Sequence, residues 1–408
     1  MLRWYLPSAV VMLFVAAATG VLLRFGMVYG LPVWAANFAA VRHAHSHLMY
    51  FGWVTLGLMA LIWHHLPTLT GRRLPRAAHV QMAATALLAA LSFPAFWVNG
   101  YGLTEVGGRA LPLGSMAAGL NGLGWAAFVL LYVRATWRLA QRPLPVRLWD
   151  WAVILMLMAT AGAFGVALLV VLGVQSPLLQ QLFLHLFLDL FGIGWFGLAL
   201  LGLLWAAVLP QGGWRVDLPV GTLALALLPT FILGMTPQVV TPAMFWTAAV
   251  ANLVAGWGWW QHLAAFWPHR RRLPRLVWAA GPALALHLLM ALLLLWPGLW
   301  RWSAGTQLRV FFLHNWLLAI ISTGLLGLMF WEGSATMRRW LAPALPYLSI
   351  GWVVGVGVMV AALGVIGLAA LLPNTVLFSL KLAAWASLLP MVVALGAALA
   401  LPVAQRLR

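Results

Sequence analysis

Polar positions along this 408-residue chain are sparse and clustered, and long apolar runs separate them. A helix needs roughly 20 apolar residues to cross the hydrocarbon core of a bilayer. Runs of that kind recur over about 5–25, 43–65, 78–99, 114–136, 149–174, 178–209, 217–236, 241–267, 277–299, 306–331, 343–371 and 374–402. The pattern predicts about twelve spanning helices in an all-α, polytopic integral membrane bundle, one transmembrane domain over 1–408. Proline and glycine mark many expected ends, as in Leu66-Pro67, Leu111-Pro112, Leu209-Pro210-Gln211-Gly212 and Leu372-Pro373-Asn374. Interior glycines are compatible with helix here, because they let membrane helices pack closely. The short alternating segments of a membrane β-barrel do not occur in the pattern. The first run, from Tyr5 to about Leu23, has the length of a signal peptide, but further spans follow directly and it reads as the first helix.

Composition strengthens this picture. Hydrophobic residues make up 64% of the chain and charged residues 7%, and the mean hydropathy is +0.99. A soluble domain carries roughly 25% charged residues, so lipid must cover most of this surface. The formal charge is +18, from 23 Lys+Arg against 5 Asp+Glu. The basic residues fall in short tracts between apolar runs: Arg72, Arg73 and Arg76; Arg138, Arg142 and Arg147; Arg270, Arg271, Arg272 and Arg275; Arg338 and Arg339; Arg406 and Arg408. That distribution belongs to cytoplasmic loops facing anionic lipid, and membrane lipids rather than nucleic acid are the expected partners. The loops after spans 3, 5, 7 and 11 hold almost no basic residues. The positive-inside rule therefore predicts a multi-pass protein with both termini in the cytoplasm. The 26 tryptophans, many near span ends, suit interfacial belts. The chain has no cysteine, which excludes disulfides, thiolate chemistry and cysteine-held iron–sulfur clusters.

With that orientation, even-numbered spans run from outside to inside, and residues early in spans 2, 6 and 10 share the outer half of the membrane. Span 2 opens with Arg42-His43-Ala44-His45-Ser46-His47, span 6 carries His185 and Asp189, and span 10 carries His314-Asn315-Trp316. His43 and His47 share a helix face, as do His185 and Asp189, and His45 points elsewhere. At 1.5 Å per residue these positions lie roughly 5–15 Å below the outer surface. Three helices presenting imidazole at one depth is what an intramembrane metal or haem site requires. A lone histidine in an apolar helix can instead simply bond a neighbouring helix. Ionisable groups at membrane depth, however, usually have a functional reason. The segments also align without gaps: His43–Trp53 with His185–Trp195, and His47–Gly57 with His314–Gly324. Their spacing of four helices points to a threefold internal arrangement of four-helix units. His64, His65, His79, His262 and His269 fall near the cytoplasmic face, and His287 reads as an interhelical hydrogen bond. Arg24, Arg42, Arg309 and Lys381 lie near the outer side, where they could meet haem propionates or snorkel to headgroups. Asp189 could orient a ligating histidine, carry a proton or pair with Lys381.

These features resemble the catalytic subunit of haem–copper oxidases and nitric-oxide reductases, and the twelve-helix NnrS family. They are also similar to bacterial membrane proteins whose second helix opens His-Ala-His-Ser-His, followed by Gly-Trp. The resemblance covers nearly the whole chain in topology, and in motif it rests on His43–Trp53, His185–Trp195 and His314–Gly324. It implies an oxidase-subunit-I-like bundle in a bacterial cytoplasmic (inner) membrane, with haem expected as b-type and copper as a candidate second metal. His47 and His314 would be the axial pair, with His43 or His45 as alternatives to His47. His185 would stand where the family places a copper ligand, with His43 or His45 beside it. The departures are that span 7 has no histidine, span 10 has only His314, and span 6 lacks the tyrosine that some oxidases use. The expected function is electron transfer, or handling of a small diatomic gas such as nitric oxide; oxidoreductase activity is left open. A cation or proton-coupled transporter, or a non-catalytic subunit of a respiratory complex, are the alternatives.

Overall fold

The computed structural model describes residues 2–209, 217–332 and 343–406. Ten described helices are long and apolar enough to cross a membrane: Trp4–Tyr29, Phe38–Thr70, Ala77–Asn99, Leu113–Thr136, Leu144–Leu169, Pro177–Val208, Arg275–Leu293, Leu308–Glu332, Leu345–Gly367 and Pro373–Ala400. They occupy the expected places of spans 1 to 6 and 9 to 12. Span 7 is the shorter apolar helix Val220–Gly234, whose last turns tighten to 3-10 geometry from Leu228. Span 8 is Pro242–Phe266, where four tryptophans together with Asn252, Gln261 and His262 depress the hydropathy. The protein is an all-α, polytopic membrane bundle. Arg338, Arg339, Arg408 and the expected turn at Pro210-Gln211-Gly212 lie outside the described residues.

Local chemistry sets several of the helix starts. Asn37, Ser176 and Thr241 open spans 2, 6 and 8, and each side-chain oxygen accepts a backbone N–H three residues on. Pro177 and Pro242 follow two of these caps, where the missing N–H costs nothing. The expected ninth span ends early, at Leu293; Trp296-Pro297 restarts a separate short helix, Pro297–Ala304. A short antiparallel hairpin follows span 3, with β1 at Thr104–Val106 and β2 at Arg109–Leu111, and Glu105 opposite Ala110. Its turn is Gly107-Gly108, both at positive φ (58° and 76°), the combination a tight hairpin turn requires.

Spans 2, 6 and 10 are the most buried of the ten: 89% of the span 2 window, 72% of span 6 and 67% of span 10, against 50% or less for the other seven. They face protein, where a polar side chain can be held. Each also contains an eight-residue π-helical stretch: Leu48–Thr55, Leu190–Gly197 and Asn315–Ser322. The stretches fall at the same register of the aligned segments, directly after His47, Asp189 and His314. In span 10 the hydroxyls of Ser322 and Thr323 donate to carbonyls five residues back, at 2.7 and 3.1 Å, matching the wider π turn. π-helical turns are uncommon and concentrate at functional sites.

The chain falls into two compact units, one of residues 1–64, 73–136 and 325–408, the other of 65–72 and 137–324. In the first, small residues admit close neighbours: a Cβ at Gly52 would lie 2.5 Å from Met12 Sδ, and one at Gly57 would lie 2.7 Å from Met329 Cε. In the second, span 5 packs on span 6. Gly162 and Gly165 lie against Phe183, and the Trp149 indole donates to the Ala199 carbonyl at 3.2 Å. The Trp316 indole reaches from one π segment to the Gly192 carbonyl of another, at 2.9 Å.

Candidate functional site

In the first unit, His47 is buried and both its nitrogens are engaged. Nδ1 lies 2.8 Å from the His43 carbonyl, which can only accept, so Nδ1 carries the proton. Nε2 then accepts from the Tyr101 hydroxyl at 2.8 Å. Phe96 stacks on the imidazole with centroids 3.7 Å apart, and Phe51 meets it edge-on at 5.0 Å. His43 packs edge-on against the Tyr101 ring at 4.9 Å. Half of the Tyr101 surface is exposed, but its hydroxyl turns inward, and burial pushes the phenol from 10.0 up to about 12. The phenol therefore stays a neutral donor to His47.

His45 faces the other way. Its Nδ1 donates to the Ala16 carbonyl of span 1 at 2.8 Å, and its ring fills the space beside Gly20, where a Cβ would come within 3.0 Å. It ties span 2 to span 1, one turn from Arg24. Arg42 and Lys381 are exposed, and Arg24 is half-buried.

In the second unit, three elements converge on His185. Its side chain is 1% exposed, and Asp189 Oδ2 lies 2.9 Å from Nδ1. Arg309 of span 10 places Nη2 2.9 and 3.2 Å from Nδ1 and Nε2, and donates through Nη1 to the Gly234 carbonyl at 2.6 Å. With Nδ1–H given to the carboxylate, the ring's lone pair at Nε2 receives the guanidinium. Gly234 is required here: a Cβ would sit 2.5 Å from Asp189 Oδ2 and 2.6 Å from His185 Nδ1. Asp189 thus takes the role of orienting its own helix's histidine. As arranged, His185 offers no open nitrogen to copper. Arg309 is occupied with the same cluster.

His314, half-buried, repeats the backbone arrangement of His47: Nδ1 donates to the carbonyl four residues back, that of Val310, at 2.7 Å. Beside it, Asn315 donates to the Ala283 carbonyl at 3.0 Å. His287 departs from the hydrogen-bonding role its sequence position predicts. Its Nδ1 is buried with no hydrogen-bond partner among the described residues, and its ring lies against Phe312 at 4.4 Å and Trp316 at 4.6 Å. Stacking against two aromatic rings takes the place of the bond. Of the histidines at the other ends of the helices, His64 lies 3.6 Å from Glu332, and the His79 carbonyl accepts from Tyr5.

Among the described residues, no three His, Asp or Glu side chains gather closely enough to hold a metal ion. Sequence reasoning missed Tyr101, which arrives from the loop after span 3, and it missed the π segments. The signal for the loop was Asn99-Gly100-Tyr101 at the end of an apolar run; the π segments left only glycines and hydroxyls scattered in apolar helix. No known protein family matches this chain, and no curated protein does either.

Proposed function

We propose that this membrane protein binds haem in its outer half and uses it to move electrons or to handle a small diatomic gas, in the manner of oxidase-like or NnrS-like proteins. The observation that carries the reading is the common setting of His47 in the first unit and His314 in the second. Each anchors Nδ1–H on the carbonyl four residues back and stands directly before a π segment. That anchoring fixes the tautomer and leaves Nε2 as the coordinating nitrogen, as haem-ligating histidines require. The donor chemistry therefore fits haem. His47 would take up iron once Tyr101 yields Nε2, while Phe96 and Phe51 exclude water from its ring. Arg24, Arg42 and Lys381, near the outer side, would be the cations that meet the propionates. Bound haem would supply a one-electron iron couple or, with an open axial position, a site for a diatomic ligand. The basic loops and both termini would face the cytoplasm of a bacterial inner membrane.

The test is the haem content of purified protein and its variants. His47→Ala and His314→Ala are expected to lower it sharply, and His269→Ala, at the other end of the helices, is expected to leave it unchanged.

A second reading, proton-coupled transport, is favoured by the His185–Asp189–Arg309 cluster, a set of ionisable groups held inside spanning helices. It predicts a colourless protein whose transport fails in Asp189→Asn.

A further inference from the structure

The second unit contains a cavity of about 90 Å³, walled by apolar and indole groups including Leu204, Trp259, Trp278, Leu284 and Trp316. His262 also lines it, 1% exposed. The Trp205 indole donates to its Nδ1 at 3.1 Å, so the proton of the neutral ring sits on Nε2. That Nε2 is buried and has no hydrogen-bond partner among the described residues. A buried donor is normally paired, and an orphan in an apolar chamber calls for a ligand carrying an acceptor oxygen.

One end of the cavity is formed by Phe266, Leu273, Val277 and Trp278, which flank the basic turn Trp267–Arg272. The Trp278 indole donates to the Arg270 carbonyl at 2.6 Å, and the Arg270 guanidinium lies 4.7 Å over the Trp267 ring. The basic turn is thus tied to the cavity wall. Arg271, Arg272 and Arg275 are exposed, and no carboxylate among the described residues pairs with them. The turn is therefore a cationic headgroup surface joined to an apolar chamber with one acceptor-seeking donor.

We infer that this cavity binds one anionic phospholipid. Part of an acyl chain fills the chamber, its ester carbonyl accepts from His262 Nε2–H, and its phosphate lies among Arg271, Arg272 and Arg275. The ligand needs all three features, which separates it from a neutral lipid, lacking the net charge, and from a membrane quinone, lacking the phosphate. None of His47, His185 and His314 lines the cavity, and lipid binding there does not depend on haem.

The experiment is native mass spectrometry of the delipidated full chain in detergent, with phosphatidylglycerol, phosphatidylcholine or ubiquinone added. Wild type should retain one phosphatidylglycerol up to about a hundredfold more tightly than phosphatidylcholine, the scale expected for three arginines at a headgroup. The triple variant Arg271→Gln, Arg272→Gln, Arg275→Gln should lose that preference. His262→Phe should weaken retention of both lipids and keep the preference. Gly281→Phe should block both, because a Cβ at Gly281 meets nothing within 4 Å and the new ring has room to enter the chamber. Circular dichroism and thermal unfolding confirm that each variant is folded. Equal retention of the two phospholipids by wild type, wild-type retention by folded Gly281→Phe, or preferential retention of ubiquinone overturns the inference.

Discussion

Replacing Tyr101 with phenylalanine removes one oxygen and tests how His47 is controlled. Among the described residues the lost hydroxyl is the hydrogen-bond partner of His47 Nε2, at 2.8 Å, and the Phe96 stack and the Nδ1 bond to His43 are untouched. A buried acceptor left without its donor costs about 1–3 kcal/mol. The apo protein should lose stability by about that amount, while the nitrogen that would meet iron becomes free. Haem binding through His47 must otherwise displace the tyrosine, so the variant should bind haem more tightly by the same about 1–3 kcal/mol, or about five- to a hundredfold in Kd. The assay is a titration of apo protein with haem, followed by the Soret band, beside a denaturation curve. Equal or weaker haem affinity in a folded variant refutes the reasoning. The same phenol has a pH signature. Its folded pKa lies above the ordinary value, so the stability it contributes is complete below pH 10.0 and is lost as pH rises towards about 12. Tyr101→Phe should flatten that alkaline decline.

Other consequences follow from the packing and the topology. Gly234→Ala should destabilise the protein by about 1–3 kcal/mol, the usual cost of forcing atoms into a filled space, measured by thermal unfolding in detergent. The collision falls on Asp189 and His185, so wild-type stability in this variant would show that the cluster is not held as described. Because the chain has no cysteine, single replacements report sidedness directly. Glu105→Cys in the hairpin should react with an impermeant maleimide from outside intact cells and Arg271→Cys only after permeabilisation; the reverse pattern would invert the topology.

The helix count was legible because hydropathy depends on local composition, and lipid demands the same apolar length wherever a helix crosses. Spans 7 and 8 stray, one shortened by a 3-10 end and one enriched in tryptophan, and span 9 ends early at Leu293. The alignment of His43–Trp53, His185–Trp195 and His314–Gly324 was also visible, and the π segments at one register give it a structural counterpart. Their geometry was not legible: one extra residue per turn barely changes an apolar pattern that is hydrophobic on every face. Asp189 was paired with its own-helix histidine through an i,i+4 spacing that sequence displays. Tyr101, Arg309 and Gly234 were harder, because their partners lie 54 residues away for Tyr101, and 124 and 75 for Arg309, and only tertiary packing brings them together. His287 misled because a polar ring in an apolar helix implies a hydrogen bond, whereas Phe312 and Trp316 receive it as an aromatic.

The most direct test of the central claim is the visible absorption spectrum of the purified, monodisperse protein expressed with ample haem supply, quantified by pyridine haemochrome. The spectrum should show a Soret band with resolved α and β bands on reduction, lost in His47→Ala or His314→Ala and kept in His269→Ala. A folded wild-type protein that stays colourless, or equal haem content in all of these variants, contradicts the claim.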